Sequence, residues 1–419
     1  MTTTAANRWM IAATGVLMQI ALGAVYAWSV FRIPLTQNYG WTISQVTVAF
    51  ELAILVLGFA AFAGGLWIRG AGPRPVVFLA AILYGLGTAL AGLSHSLPSL
   101  YLTYGVIGGA GLGLGYIVPV ATLIGWFPDK RGLITGIAVA GFGAGALITA
   151  PIAERLIATV GVSSTFVVLG IAYFIILALA ATVMRNPPEG YMPQGFKPSA
   201  ADGSAALALT LRQALGTWQW YGLWLTLFLN TAAGISIISQ AAPMAQEISH
   251  VSSAAAAALV GIISIANGCG RFLWAWFSDI IGRKAVFVTM FLLQGVAFLL
   301  LSNVVAFGSL TGLAFVILLC YGGGFGTMPA FAADYFGAKD IGSIYGLMLT
   351  AWGVAAVVGP TLIAYVRQAT GEYQGALEIL ALITLLSAIL PLLLHPLGLR
   401  PMASASHSHV QSVPRRAAS

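Results

Sequence analysis

The sequence predicts an all-α membrane protein, with twelve transmembrane helices arranged as two pseudo-symmetric six-helix bundles. Three observations predict it. Of 419 residues, 59% are hydrophobic and only 7% carry charge, against about a quarter charged in a soluble domain. Apolar windows recur along the whole chain, each near the roughly 20 residues that a helix needs to cross a bilayer with its backbone hydrogen bonds closed internally. The halves also echo each other. W-F-P-D-K-R-G at 126–132 is answered by Y-F-G-A-K-D-I-G at 335–342, and G-L-W-I-R-G-A-G-P-R at 65–74 by A-W-F-S-D-I-I-G-R at 275–283; offsets near half the chain indicate internal duplication.

In chain order the windows fall at 9–31, 45–68, 76–94, 99–125, 132–157 and 163–184, then at 219–245, 253–277, 285–303, 309–333, 343–367 and 374–395. The 50 glycines and 11 tryptophans suit them, because small residues let membrane helices approach closely and aromatics favour the interfaces. An even number of spans puts both termini on one side. Fourteen Lys and Arg residues fall in loops on that side, and only Arg32, Arg155 and Arg367 on the other, so the termini are expected in the cytoplasm. The expected organisation is a bundle over 1–184, a polar cytoplasmic linker over 185–218, a second bundle over 219–395 and a cytoplasmic tail over 396–419. Ahead of the first window stands Arg8, with no convincing cleavage site after it, so this stretch reads as an uncleaved first span.

The net charge of +7 is scattered over short loops, which argues against nucleic acid and for membrane orientation. Cys269 and Cys320 both lie inside apolar runs, giving no disulfide framework, and no metal or cofactor site is visible. A membrane-embedded enzyme needs converging His, Asp or Cys groups in the spans, and none stand out. A membrane sensor usually carries a large soluble extension, and these loops are short. Nothing points to an obligatory protein partner; the lipid bilayer is the expected surrounding.

One stretch carries chemistry. In N-G-C-G-R-F-L-W-A-W-F-S-D at 267–279 an arginine interrupts an apolar run. Arg271 stands two turns before Asp279, roughly 12 Å inside its helix, and a guanidinium at that depth needs a partner or a water-filled cavity. Its planar fork suits a carboxylate bidentately; capping the carbonyls of a broken helix is the other reading. Asn267 is four residues earlier on the same face, where ligand contact and helix–helix hydrogen bonding both stay open. Glu51 lies about two turns inside the second window, either as a proton site or as an acid reaching the outer interface. Tyr116 sits among Gly109, Gly111, Gly113 and Gly115. Glycine clusters at 136–145 and 322–326 suit helix packing or a hinge.

With these residues in place, the chain resembles the major facilitator superfamily. That family's loops between spans two and three and between eight and nine carry G-x-x-x-D-x-x-G-R-K/R. Asp279, Gly282, Arg283 and Lys284 match the second copy, with Ala275 at its leading glycine; the first departs, with Arg69 at the acidic position before Gly72, Pro73 and Arg74. The resemblance implies a cytoplasmic gate at Asp279 and Arg283, with Arg74 in the matching loop of the first half; Asp129 and Arg131, in the loop after the fourth window, read as topological or gate-forming. Within the superfamily the chain is similar to monocarboxylate transporters, on the branch with bacterial oxalate/formate exchangers. The similarity rests on G-A-V-Y-A-W-S-V-F at 23–31, Tyr116 ten residues before W-F-P-D-K-R-G, N-P-P-E-G-Y at 186–191, and Arg271 seven residues before Ser278.

The resemblance implies a cavity walled by Tyr26, Tyr116, Tyr321 and Phe325, with Arg271 binding the substrate. Two departures matter. Asn267 stands where many relatives carry a proton-bearing aspartate, and Val30 where they carry a lysine. Trp352 stands where dicarboxylate exchangers carry a second cavity cation, so Arg271 is expected to be the one membrane-embedded cation; Trp352 as a packing or lipid-facing aromatic is the alternative. The expected function is secondary active transport of small monocarboxylates of the lactate and pyruvate type, probed against oxalate/formate-type exchange and against a transporter-like sensor. The expected partners are the monocarboxylate anion and a proton, and the expected location is the bacterial cytoplasmic membrane.

Overall fold

The computed structural model describes residues 7–127, 131–188, 191–193, 209–337 and 340–395, without the side chains of Arg69, Ile124, Arg131, Leu133 and Thr135. The expected tail and half of the linker lie outside the described residues. Among those described, eleven helices are long and apolar enough to cross a membrane. One of them, Arg131–Val183, runs for 53 residues and breaks at Gly161, where φ is 83°. An unbroken helix of that length would measure about 80 Å, more than twice a hydrocarbon core; Gly161 divides it into two spans and brings the total to twelve.

The helices are α1 (Arg8–Tyr39), α2 (Ile43–Ala71), α3 (Pro73–Ala91), α4 (Leu97–Trp126) and α5 and α6 on either side of Gly161. After a short helix at Leu211–Leu215 come α7 (Trp218–Ile248), α8 (Ser253–Ile281), α9 (Arg283–Leu301), α10 (Phe307–Phe336), α11 (Ile341–Thr370) and α12 (Gln374–Leu393). Local chemistry explains their starts. Thr42 and Gln45 form a reciprocal capping box ahead of α2, and the Ser252 hydroxyl accepts the amide of Ala255 ahead of α8, each satisfying amides that a helix start leaves bare. The duplicated loops adopt one turn in both halves: Gly72, with φ 76°, joins α2 to α3, and Gly282, with φ 89°, joins α8 to α9. A side chain at either position would be strained.

Helices α1–α6 form one bundle and α7–α12 the other. They meet along two seams, α2 against α11 and α5 against α8. Large apolar side chains such as Phe59, Leu86, Ile171, Leu179, Leu300 and Leu386 point outward, as a lipid-facing surface requires. The end carrying α1's start and α12's finish, with the Gly72 and Gly282 turns, is called here the basic end, and the opposite one the far end.

The first window ends too early. It closes at Phe31 because Arg32 looks like a loop residue, yet α1 continues to Tyr39 and tightens into a 3-10 turn over Ala24–Ala27 on the way. Arg32 is fully buried. Pro34 is the seventh residue of the helical segment that opens at Trp28, where its missing N–H leaves the Val30 carbonyl without its intrahelical donor. This is a correction on two counts: Arg32 leaves the far-end loops, and Arg271 is not the only membrane-embedded cation.

Candidate substrate site

Backbone contact fixes the position of Arg271. Two glycines of α10, Gly322 and Gly326, face the carbonyls of Asn267 and Arg271 on α8 so closely that a Cβ would come within 2.0 and 1.9 Å of them. On the other flank Gly143 of α5 packs against Gly268 of α8, and Ser264 donates to the Gly143 carbonyl at 2.7 Å. Helix α8 is therefore clamped between one helix of each bundle, with Arg271 turned into the space between them. The glycine clusters at 136–145 and 322–326 serve close packing here.

The Arg271 side chain is fully buried. Its Nε donates to Asn267 Oδ1 at 3.3 Å, so Asn267 orients the guanidinium, in keeping with their shared helical face. Nη1 and Nη2 have no hydrogen-bond partner. The cation stands over the rings of Phe325 at 4.5 Å and Phe142 at 5.6 Å, a geometry that stabilises a desolvated guanidinium by up to about 2 kcal/mol. The ionisable groups around it are the neutral phenols of Tyr116, Tyr26, Tyr321 and Tyr345. No carboxylate is among them.

Aromatic residues from both bundles close around this fork. Tyr26 of α1 and Tyr321 of α10 share a hydrogen bond of 2.7 Å between their hydroxyls. The Trp352 ring on α11 lies 4.9 Å from Phe325, 5.6 Å from Tyr116, 5.6 Å from Phe142 and 6.4 Å from Tyr26. With no exposure at all, Trp352 is not a lipid-facing aromatic. Gln19 of α1 donates to the Tyr116 carbonyl at 3.0 Å and holds that turn of α4 in place. The Tyr116 hydroxyl, beside Arg271 and Tyr345, and the Trp352 indole N–H, beside Tyr321, are buried without a hydrogen bond of normal length. Orphaned donors of this kind are costly in an apolar interior, and here they converge around an orphaned cation. A void of about 10 Å³ borders Tyr26, Asn267, Ser264 and Ile238, room for about one water. Such an assembly can grip a planar anion in the fork, donate to it from phenols and press apolar rings on its body.

The seven expected binding residues thus converge: Arg271, Asn267, Tyr116, Tyr26, Tyr321, Phe325 and Trp352. Phe142 and Tyr345 belong with them and were not anticipated; an apolar ring in an apolar helix carries no signal except, for Phe142, the glycines on either side.

The other expected residues lie elsewhere. Glu51 is buried in the far half of the α2–α11 seam and accepts from Thr361 Oγ1 of α11 at 2.9 Å, so it does not reach the interface. Arg283 pairs with Asp279 at 2.6 Å and with Asp334 at 3.3 Å, tying α8, α9 and α10 of one bundle together. Arg74 donates to the carbonyls of Met184 and Thr182 at 3.2 Å, all within the other bundle. Asp129 lies outside the described residues, as does the side chain of Arg131.

A second set of polar contacts closes the far end. Arg32 Nη1 donates to the Ser239 carbonyl at 2.9 Å and to the Gln240 side chain, both on α7. Ser44 donates to Gln368 at 2.9 Å across the α2–α11 seam, and Ser253 to Glu154 at 3.2 Å across the α5–α8 seam. Beside them Arg367 and Glu247 form an ion pair, joined by the Tyr373 hydroxyl at 3.1 Å.

Comparisons with known proteins agree with this geometry. A sequence model described as Major Facilitator Superfamily matches residues 10–272 and 223–414. The chain is 30% identical over 356 residues to an uncharacterized MFS-type transporter, YhjX, of Escherichia coli (strain K12), covering 84% of this chain and 86% of the relative. It is 28% identical to the oxalate:formate antiporter of Oxalobacter formigenes, over 84% of this chain and 83% of that one. Monocarboxylate transporter 13 of Rattus norvegicus is 25% identical, over 88% and 84% respectively.

Proposed function

Because the chain belongs to the Major Facilitator Superfamily, we propose that it is a secondary active transporter of small monocarboxylates of the lactate and pyruvate type, coupled to protons. The bundles over 1–184 and 219–395 rock about the Arg271 site, the linker over 185–218 joins them, and the basic end faces the cytoplasm of a bacterium. One observation carries this reading: Arg271 is fully buried, neither Nη atom makes a hydrogen bond of normal length, and among the described residues no carboxylate pairs with it. A buried cation without a counter-ion is unfavourable by several kcal/mol, and a substrate carboxylate supplies the counter-ion. Trp352 and Phe325 offer an apolar wall and not a second charge, which favours one carboxylate on a small apolar body.

Glu51 is the proposed proton carrier. It is an acid on the far side of the site, held by a neutral hydroxyl of the opposite bundle, so protonation bears on the seam that has to open. Asp279, Arg283 and Arg74 are proposed to stabilise the cytoplasmic gate by holding helices within each bundle, with Asp129 and Arg131 as further members of that gate. A second reading, oxalate/formate-type exchange, is favoured by the similarity to an oxalate:formate antiporter and by Arg32 as a second buried cation.

Reconstitution into proteoliposomes tests both. Counterflow of lactate and pyruvate, stimulated by an acid exterior and abolished in a folded Arg271→Ala protein, is the expected result, and Glu51→Gln should keep counterflow but lose the stimulation. Acceleration by internal oxalate with indifference to a pH gradient would replace symport by exchange. Normal uptake by Arg271→Ala would sink both readings.

A further inference from the structure

The reading above uses one buried arginine; the chain has two. Arg32 lies seven residues before the end of α1 at Tyr39, about 10 Å inside the far end, and is fully buried. Its acceptors are neutral: the Ser239 carbonyl, the Gln240 side chain and, at 3.4 Å, the Ile43 carbonyl. Its Nε has no partner. The acids whose charge it feels, Glu247 and Glu51, are bound elsewhere, Glu247 by Arg367 and Tyr373 and Glu51 by Thr361.

We propose that Arg32 is a second carboxylate-binding residue, which takes the substrate anion from the far side and passes it to Arg271. This rests on the carboxylate-transport reading. Two of the three acceptors of Arg32 are on α7, in the opposite bundle, so parting the bundles at the far end removes them together. The guanidinium then lines the opening with Nη1 newly bare beside the already unpartnered Nε. A charged fork holding neutral acceptors exchanges them favourably for a carboxylate, whose charge-assisted hydrogen bonds are about twice as strong.

Arg32 and the central site lie close together along α1 and α7. Six residues separate Arg32 from Tyr26, about 9 Å along the helix, and Ile238, next to the acceptor Ser239, borders the same small void as Tyr26 and Asn267. On the outer side, a depression of about 380 Å³ between α1, α5, α7 and α8 is lined by Val30, Gln37, Glu154 and Gln246, on a face of α1 that does not carry Arg32.

The test is sidedness. Purified protein is reconstituted in oriented proteoliposomes, and the KM for pyruvate is measured from the far side and from the basic side for the wild type, Arg32→Gln and Arg32→Lys. Arg32→Gln should raise the far-side KM roughly tenfold, the effect of losing one charge-assisted carboxylate contact, with the basic-side KM within about twofold of wild type; Arg32→Lys, which keeps the charge but not the fork, should fall between. A residue that only latches the far end gives the opposite sign, since loosening the latch favours the far-open state and lowers the far-side KM. A lowered, unchanged or equally shifted pair of KM values therefore overturns the proposal. If Arg32→Gln does not fold, Arg32→Lys decides by the same criterion. A wild-type protein that moves no pyruvate would sink the transport reading itself; wild-type transport with no sided effect sinks only the role of Arg32.

Discussion

Arg32 and Arg271 are both fully buried, yet they are satisfied at opposite ends of the guanidinium. Arg32 spends its Nη atoms on protein acceptors and leaves Nε bare; Arg271 anchors Nε on Asn267 and leaves both Nη atoms bare. The first arrangement ties two bundles together. The second holds a fork steady from behind and presents its open side to a cage of rings. Depth in the membrane does not distinguish them; what does is which nitrogens the fold has already engaged.

Replacing the fork at the centre should have the largest effect. Arg271→Lys keeps the charge but loses bidentate geometry and the contact with Asn267, and pyruvate counterflow should fall about a hundredfold, the cost of roughly 2–3 kcal/mol for such a pair. Near-normal counterflow in that variant would reduce Arg271 to a point charge. Next in size is Gly326→Ala, whose new methyl would stand at 1.9 Å from the Arg271 carbonyl. Overpacking of this kind typically removes about 1–3 kcal/mol, read as a lowered melting temperature in detergent together with lost transport. An unchanged melting temperature would mean that α8 and α10 are not held in contact.

Tyr321→Phe probes the bond between the bundles at the level of the site. Losing one buried hydrogen bond of 2.7 Å to Tyr26 removes about 1 kcal/mol, and the predicted result is a severalfold change in KM with folding intact. A kinetic profile identical to wild type would show that the pair contributes only packing. The smallest effect belongs to Asp279→Asn. The Asp279 side chain is 67% exposed, and Arg283 keeps Asp334 as a second partner, so thermal stability should move by less than about 1 kcal/mol. A collapse of transport there would assign the gate a role that its contacts within one bundle do not explain.

The sequence made Arg271 legible because a charge in an apolar run has nowhere to hide, and Asn267 followed from helical spacing. Arg32 was misread by the same logic. Standing just before Pro34 and the polar Thr36-Gln37-Asn38, it looked like the start of a loop, whereas the partners that permit its burial lie more than 200 positions away on α7. Glu51 left two readings open until Thr361, equally remote in sequence, fixed its surroundings. Tyr345 gave no sign and Phe142 only its flanking glycines, since an aromatic that faces a cation and one that faces lipid are the same letter. Helix number and the duplicated turns needed only local information: apolar length, and glycines where φ is positive.

The glycine contacts beneath Arg271 separate charge placement from pocket shape. Main-chain packing against Gly322 and Gly326 fixes where the guanidinium sits, while on the proposed carboxylate reading the rings of Tyr116, Phe142 and Trp352 would set what body fits beside it. Libraries varied at those three rings should therefore yield carriers for acids of different bulk, all still requiring one carboxylate, so that this scaffold can change its cargo without rebuilding its anchor.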